Sequence, residues 1–224
     1  MNFEEGSPPG PAHVTRSTLA AALATAVSLA LLALVAVPLR DSVYRAVAGT
    51  IGPSPLAPLA AVVVAEKGPL VLVATFAVLA VRTWQRDRRA FGTLVAGGAG
   101  AVVAYLTSEA VKLVITEPRP CRASNVTTVL ECPAIGDWSW PSNHSVIAAS
   151  LATACILAVP RIFWFAAPVA VLLGFSRLMV GVHYAHDVLS GFALGVLIVT
   201  TAIVVLRPVV DRVFTVPREP ERVP

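Results

Sequence analysis

Charge is what this sequence has least of. Asp, Glu, Lys and Arg make up 13% of its 224 residues, about half the share in an average soluble domain. That is too little to cover a water-soluble ball and excludes a soluble globular enzyme. Lysine is nearly missing, with two against fifteen arginines. Together with heavy use of Ala, Val and Pro, this points to a GC-rich bacterial genome. Cysteines number three, and no Cys–His spacing suits a zinc site. The net charge of +4 and pI near 9.3 do not mark a nucleic-acid binder. The cations fall in short clusters between apolar runs, which is a membrane-topology pattern.

What the chain has is hydrophobicity: 56% apolar residues and a mean hydropathy of +0.77. Lipid-exposed backbone must satisfy its hydrogen bonds within a helix, so long apolar runs predict membrane-spanning helices. Six are expected, over residues 17–39, 59–81, 91–115, 145–159, 162–180 and 185–206. The Gly- and Pro-rich stretch 41–57 reads as a short interfacial segment. The fold class is then all-α, an integral membrane bundle of six transmembrane helices spanning residues 17–206. Mobile tails at 1–16 and 207–224 are expected to flank it. Arg82, Arg86, Arg88 and Arg89 lie between the second and third spans, and Arg207, Arg212, Arg218 and Arg222 follow the sixth. Basic residues stay on the cytoplasmic side. Both termini are therefore expected in the cytoplasm of a multi-pass plasma-membrane protein, with the ends of spans three to six nearest the polar motifs facing outward.

Polar groups at membrane depth are costly and read as functional by default. They fall in three groups: Lys112-x6-Arg119-Pro120, Pro141-Ser142-Asn143-His144, and Ser176-Arg177-x5-His183-x3-Asp187. Lys112, Arg119 and Arg177 can converge on one multiply charged anion, arginine with a planar fork and lysine with a point charge. The Ser142 hydroxyl and the N–H groups of a helix start suit the same ligand. His183 and Asp187, four apart, share a helix face. The carboxylate can hold one ring nitrogen and leave the other as nucleophile. His144, from another span, can protonate the leaving group. This set supports phosphoryl transfer without a metal.

The three motifs, in this order and spacing, resemble the type 2 phosphatidic acid phosphatases. That superfamily also includes prenyl-diphosphate phosphatases, glucose-6-phosphatase and vanadium haloperoxidases. The resemblance implies that Lys112, Arg119 and Arg177 bind phosphate with Ser142 and the Asn143 amide. It implies that His183 attacks phosphorus to form a phosphohistidine, oriented by Asp187. His144 would be the acid for the leaving group and then the base that activates water. One position departs from the pattern, since Asn143 stands where the family usually has Gly. Asn keeps the backbone N–H and tolerates left-handed backbone, so the change bears on substrate fit rather than on reaction type.

The expected activity is that of a membrane lipid phosphatase with no cofactor, acting on a lipid phosphomonoester or diphosphate. For a bacterial enzyme the preferred substrate is a polyprenyl diphosphate such as the undecaprenyl carrier of cell-wall synthesis. Its partners are then that substrate and membrane lipids, with no nucleic acid. Two rivals are a non-hydrolytic lipid-phosphate transporter or scaffold and a vanadium haloperoxidase-like enzyme. The composition speaks against the haloperoxidase because those enzymes are soluble. His186 has no motif position and reads as structural. Glu109, three residues before Lys112, is expected to pair with it. Cys121 and Cys132 share one loop and are expected to form a disulfide if it faces an oxidising compartment. Cys155 reads as packing.

Overall fold

The computed structural model describes residues 14–48, 56–124 and 128–214, and all regular structure among them is helical. Of the expected tails, residues 1–13 and 215–224 lie outside the described residues, as does the stretch 49–55 of the expected interfacial segment, whereas residues 207–214 are helical. In chain order the helices are α1 (Arg16–Ala36), α2 (Arg40–Ala48), α3 (Leu56–Arg86), α4 (Arg88–Val114), α5 (Pro120–Ala123), α6 (Asn143–Ala158), α7 (Phe163–Met179) and α8 (Ala185–Phe214). Five of them, α1, α3, α4, α7 with its preceding turn, and α8, are long and apolar enough to cross a membrane. The sixth apolar helix, α6, has 16 residues.

Helix α8 is the hub, packing against α1, α4 and α6, while α7 packs against α3 and α6. The seams are made of small residues. Ala148, Ala152, Ala166 and Ala170 meet Leu72 and Leu173, and Ala96 and Ala154 meet Val199 and Ile203. Large apolar side chains point outward instead, among them Leu113, Val114 and Trp164, each more than 80% exposed. Small residues inside and large apolar ones outside is the arrangement of helices packed in lipid, where close backbone approach replaces a hydrophobic drive. The chain is a multi-pass membrane protein.

Several helix ends differ from the expected boundaries, and two of the differences have a visible cause. Asp87 caps α4, accepting from the Ala90 N–H at 3.0 Å, so this helix starts at Arg88 rather than Phe91. The C-terminal boundary expected at Leu206 is passed, because α8 continues through Pro208 to Phe214. Proline removes one ladder hydrogen bond, but packing holds the extension. Val210 is buried against the α4/α6 cluster, Phe214 meets the Phe91 ring edge-on at 5.5 Å, and Asp211 pairs with Arg89 at 3.4 Å. Likewise α3 runs unbroken through Glu66, Lys67, Gly68 and Pro69. A Cβ on Gly68 would lie 2.2 Å from Leu173 Cδ2, so this glycine lets α3 close onto α7.

Candidate functional site

The C-terminal ends of α4 and α7 meet the N-terminal ends of α6 and α8, and residues 115–124 and 128–142 lie beside them. All eight residues expected to form a site lie in this corner. Lys112, Arg119, Ser142, Arg177, His183 and Asp187 are each less than 10% exposed. Burial of three cations together is sustained only with compensating partners.

His183 stands in the short connection between α7 and α8. Its Nδ1 lies 3.3 Å from Asp187 Oδ2, and its Nε2 lies 2.9 Å from Arg119 Nη1. With Nδ1 protonated toward the carboxylate, Nε2 carries the lone pair and accepts from Arg119. Burial pushes the His183 imidazole down to about 4, against the pull of the Asp187 hydrogen bond, so it is neutral at neutral pH. Asp187 Oδ2 also accepts from the Tyr184 N–H at 2.8 Å and from the Ser139 hydroxyl at 2.5 Å.

Arg119, at the start of α5, spans the site. Nη1 donates to the Val182 carbonyl (3.0 Å), Nε to the Asp137 carbonyl (2.8 Å) and Nη2 to Asp137 Oδ1 (2.8 Å). Lys112 Nζ lies 3.7 Å from both Asp137 Oδ1 and Glu109 Oε1, so the expected Glu109 pairing is present. Burial alone would raise the Asp137 carboxyl, but its Arg119 hydrogen bond and the Arg119 and Lys112 charges hold it below the usual carboxylate range.

The opposite wall is less committed. The first N–H groups of α6 have no intrahelical acceptor, and Ser142 does not cap them with its side chain. Ser142 Oγ and Arg177 Nε are buried without a hydrogen-bond partner among the described residues. His144 is half-buried within electrostatic reach of Arg177, His183, Arg119 and Lys112. The Asn143 side chain turns away toward α4, donating to Glu109 Oε1 (2.5 Å) and accepting from the Ser108 hydroxyl (2.6 Å).

His186 does more than fill space. Its Nε2 is 3.0 Å from Glu117 Oε2 and 3.1 Å from Asp187 Oδ1, and Glu117 Oε1 continues to Arg40 at 3.1 Å. Glu117, His186 and Asp187 are the metal-ligand-type group found among the described residues; His186 Nε2 is already turned to Glu117. Sequence reasoning missed Asp137, Ser139 and Glu117, which sit in a loop where polar residues are ordinary. It also missed Gly191 and Gly195, whose Gly-x3-Gly spacing in an apolar run is a legible packing signal. A Cβ on Gly191 would lie 2.7 Å from the carbonyl of Ser142, which precedes α6, and one on Gly195 2.7 Å from the Val146 carbonyl within it.

Two backbone and loop features lock the corner. The Ser142 N–H donates to the Asp187 carbonyl at 3.1 Å. Cys121 and Cys132 are disulfide-bonded, while Cys155 is free and buried. Nearby, Gly181 adopts φ +79° to turn the chain out of α7, a conformation that favours glycine.

Fold and site together define a helical membrane protein with a buried cluster of cations beside a histidine–aspartate pair. The chain belongs to the PAP2 superfamily, whose sequence pattern matches residues 93–210. It is 38% identical over 95 residues to an undecaprenyl-diphosphatase of Sulfolobus acidocaldarius, covering 42% of this chain and 46% of that protein. It is 36% identical over 104 residues to undecaprenyl-diphosphatase BcrC of Bacillus subtilis, covering 46% and 51% respectively. The chain thus spans about half the length of these relatives. Its fold is similar to the crystal structure of the first transmembrane PAP2 type phosphatidylglycerolphosphate phosphatase from Bacillus subtilis. The TM-score is 0.61 at 21% identity, covering 84% of this chain and 98% of that one. It is also similar to Aquifex aeolicus LpxE, with a TM-score of 0.57 at 20% identity over 74% and 94%.

Proposed function

We propose that this protein is a membrane lipid phosphatase that removes the terminal phosphate from a lipid phosphomonoester or diphosphate. A polyprenyl diphosphate, cleaved to the monophosphate, is its preferred substrate. The observation that carries the reading is the two-sided setting of His183. One ring nitrogen is committed to Asp187, and the other faces the cations at Arg119. The undecaprenyl-diphosphatase names of the two relatives support the substrate class.

In this reading Arg119, Lys112 and Arg177 hold the terminal phosphate oxygens, joined by the Ser142 hydroxyl and the first amides of α6. The Nε2 lone pair of His183 attacks phosphorus as the bond to the leaving oxygen breaks. His144 gives that oxygen its proton. Asp187 stabilises the positive charge that develops on the His183 ring. Water then attacks the phosphohistidine, His144 takes a proton from it, and inorganic phosphate leaves with His183 restored. Arginine and lysine donors fixed in advance stabilise the charge on the transferring phosphoryl group.

The membrane arrangement proposed with it has six spans, α6 being the short one, in a plasma membrane. The termini face the cytoplasm and the site faces outward. The arginines at the adjoining ends of α3 and α4, and those after the apolar part of α8, support that orientation. A cysteine reporter at Ile135, 88% exposed, is expected to react with an impermeant thiol reagent in intact cells, and one at Arg88 to be shielded. The reverse pattern inverts the topology.

The activity test uses purified full-length protein and a lipid diphosphate labelled in its terminal phosphate. Phosphate release is expected from the wild type, with a trapped phosphoenzyme that His183→Ala lacks. Release no faster than that of His183→Ala defeats the enzyme reading and favours a binding or transport protein.

A further inference from the structure

Part of the cationic cluster is unpartnered and part is engaged by the protein's own carboxylate. Arg177 Nε and Ser142 Oγ are buried and unpartnered among the described residues. Arg119, in contrast, has each of its three nitrogens engaged, two of them by Asp137. A single oxygen, Asp137 Oδ1, lies 2.8 Å from Arg119 Nη2 and 3.7 Å from Lys112 Nζ. That is the position an oxygen of a bound phosphate shared by these two cations would take.

Asp137 can leave that position without disturbing the bundle. Its side chain is 47% exposed. It follows Gly136, which takes φ +95° with open space around its Cβ position. The turn is closed by the Asp137 N–H donating to the Ala134 carbonyl at 3.1 Å, so rotation about the side chain leaves the backbone in place.

We infer that Asp137 is a displaceable internal anion that sets headgroup specificity, rejecting phosphodiester lipids and admitting terminal phosphates. The inference rests on the phosphatase reading above. A phosphodiester headgroup brings one negative charge and two free oxygens. It gains nothing over a tethered carboxylate that carries the same charge and is already in place. A terminal phosphate brings about −1.5 to −2 charges and three acceptor oxygens. It can satisfy Arg119 and Lys112 and still reach Arg177 and Ser142. Phosphodiesters far outnumber any terminally phosphorylated lipid in a bilayer, so a site made only of cations would be filled by the wrong headgroups. The repulsive element against the competitor is built into the site.

The test compares full-length wild type, Asp137→Asn and Asp137→Ser in detergent micelles, with a lipid diphosphate as substrate. Phosphatidylglycerol and inorganic phosphate serve as competing ligands. Removing the charge is expected to tighten inhibition by phosphatidylglycerol about fivefold, an effect of the size of one partly exposed ion pair. Inhibition by inorganic phosphate should tighten clearly less. Asp137→Glu keeps the charge and is expected to keep the rejection. Unchanged phosphatidylglycerol inhibition in both neutral variants, or equal tightening by the two ligands, overturns the inference. Absence of phosphate release by the wild type defeats the phosphatase reading instead, so the two failures are distinct. The Asn and Ser variants lie on an exposed turn, and either one that melts like the wild type suffices.

Discussion

The hydroxyl of Ser139 donates to Oδ2 of Asp187, the oxygen that also faces His183 Nδ1. The carboxylate is therefore held by the loop before α6 as well as by its own helix, and the loop sets the orientation of the His183 ring through it. Ser139 is fully buried, so water cannot replace its hydrogen bond.

Ser139→Ala is expected to lower kcat by about ten- to a hundredfold and leave KM nearly unchanged, from loss of a charge-assisted hydrogen bond of about 1.5–3 kcal/mol. Steady-state kinetics separates this from damage to phosphate binding, which would raise KM.

The low proton affinity of His183 couples stability to pH. Its folded value of about 4 lies below the usual 6.5, so between the two the unfolded chain binds the extra proton. The His183 contribution is complete above pH 6.5 and is lost as pH falls toward 4. The slope approaches about 1.4 kcal/mol per pH unit. Thermal unfolding in detergent at several pH values should show a shallower acid decline for His183→Gln than for wild type. Parallel declines would contradict the assignment.

Gly191→Ala is expected to damage activity without touching a reacting group. The added Cβ would meet the Ser142 carbonyl at 2.7 Å and Ser145 Cβ at 2.9 Å, and a backbone carbonyl cannot swing aside. Overpacking of this kind costs about 1–3 kcal/mol, and the displaced α6 start carries Ser142 and His144 with it. Gly98→Ala is the control: its nearest neighbour is the Phe76 ring at 3.2 Å, which can yield. Melting temperature and kcat should both fall for the first variant and change little for the second.

The Cys121–Cys132 bond closes a loop of sequence separation 11. A loop of that size constrains the unfolded chain by about 2–3 kcal/mol. Replacing both cysteines by serine should lower the melting temperature accordingly. In the wild type, thiol labelling under native non-reducing conditions should find none of the three cysteines, because Cys155 is buried.

The residues proposed to react and to face phosphate were legible because charge is rare in this chain. Lys112, Arg177 and Asp187 stand out because they lie in or beside long apolar runs. Asp137 and Ser139 gave no such contrast, since they lie in a loop where polar residues are the norm, and only folding shows that the loop closes over the site. The role of Asn143 was hidden for another reason. Its partners Ser108 and Glu109 sit on α4, distant in sequence, and no local pattern reports that pairing. Helix limits failed where tertiary packing overrode a local stop signal, as Val210 and Phe214 do beyond Pro208.

The Ser142 N–H to Asp187 carbonyl hydrogen bond has a practical meaning for genetics. It joins the second and third motifs through main chain, together with two glycines that contribute no side chain at all. The main-chain link between His144 and His183 therefore uses neither imidazole. Under the proposed function, loss of turnover on replacing either imidazole is expected to report missing reactivity rather than a collapsed scaffold, and an unchanged melting temperature checks it.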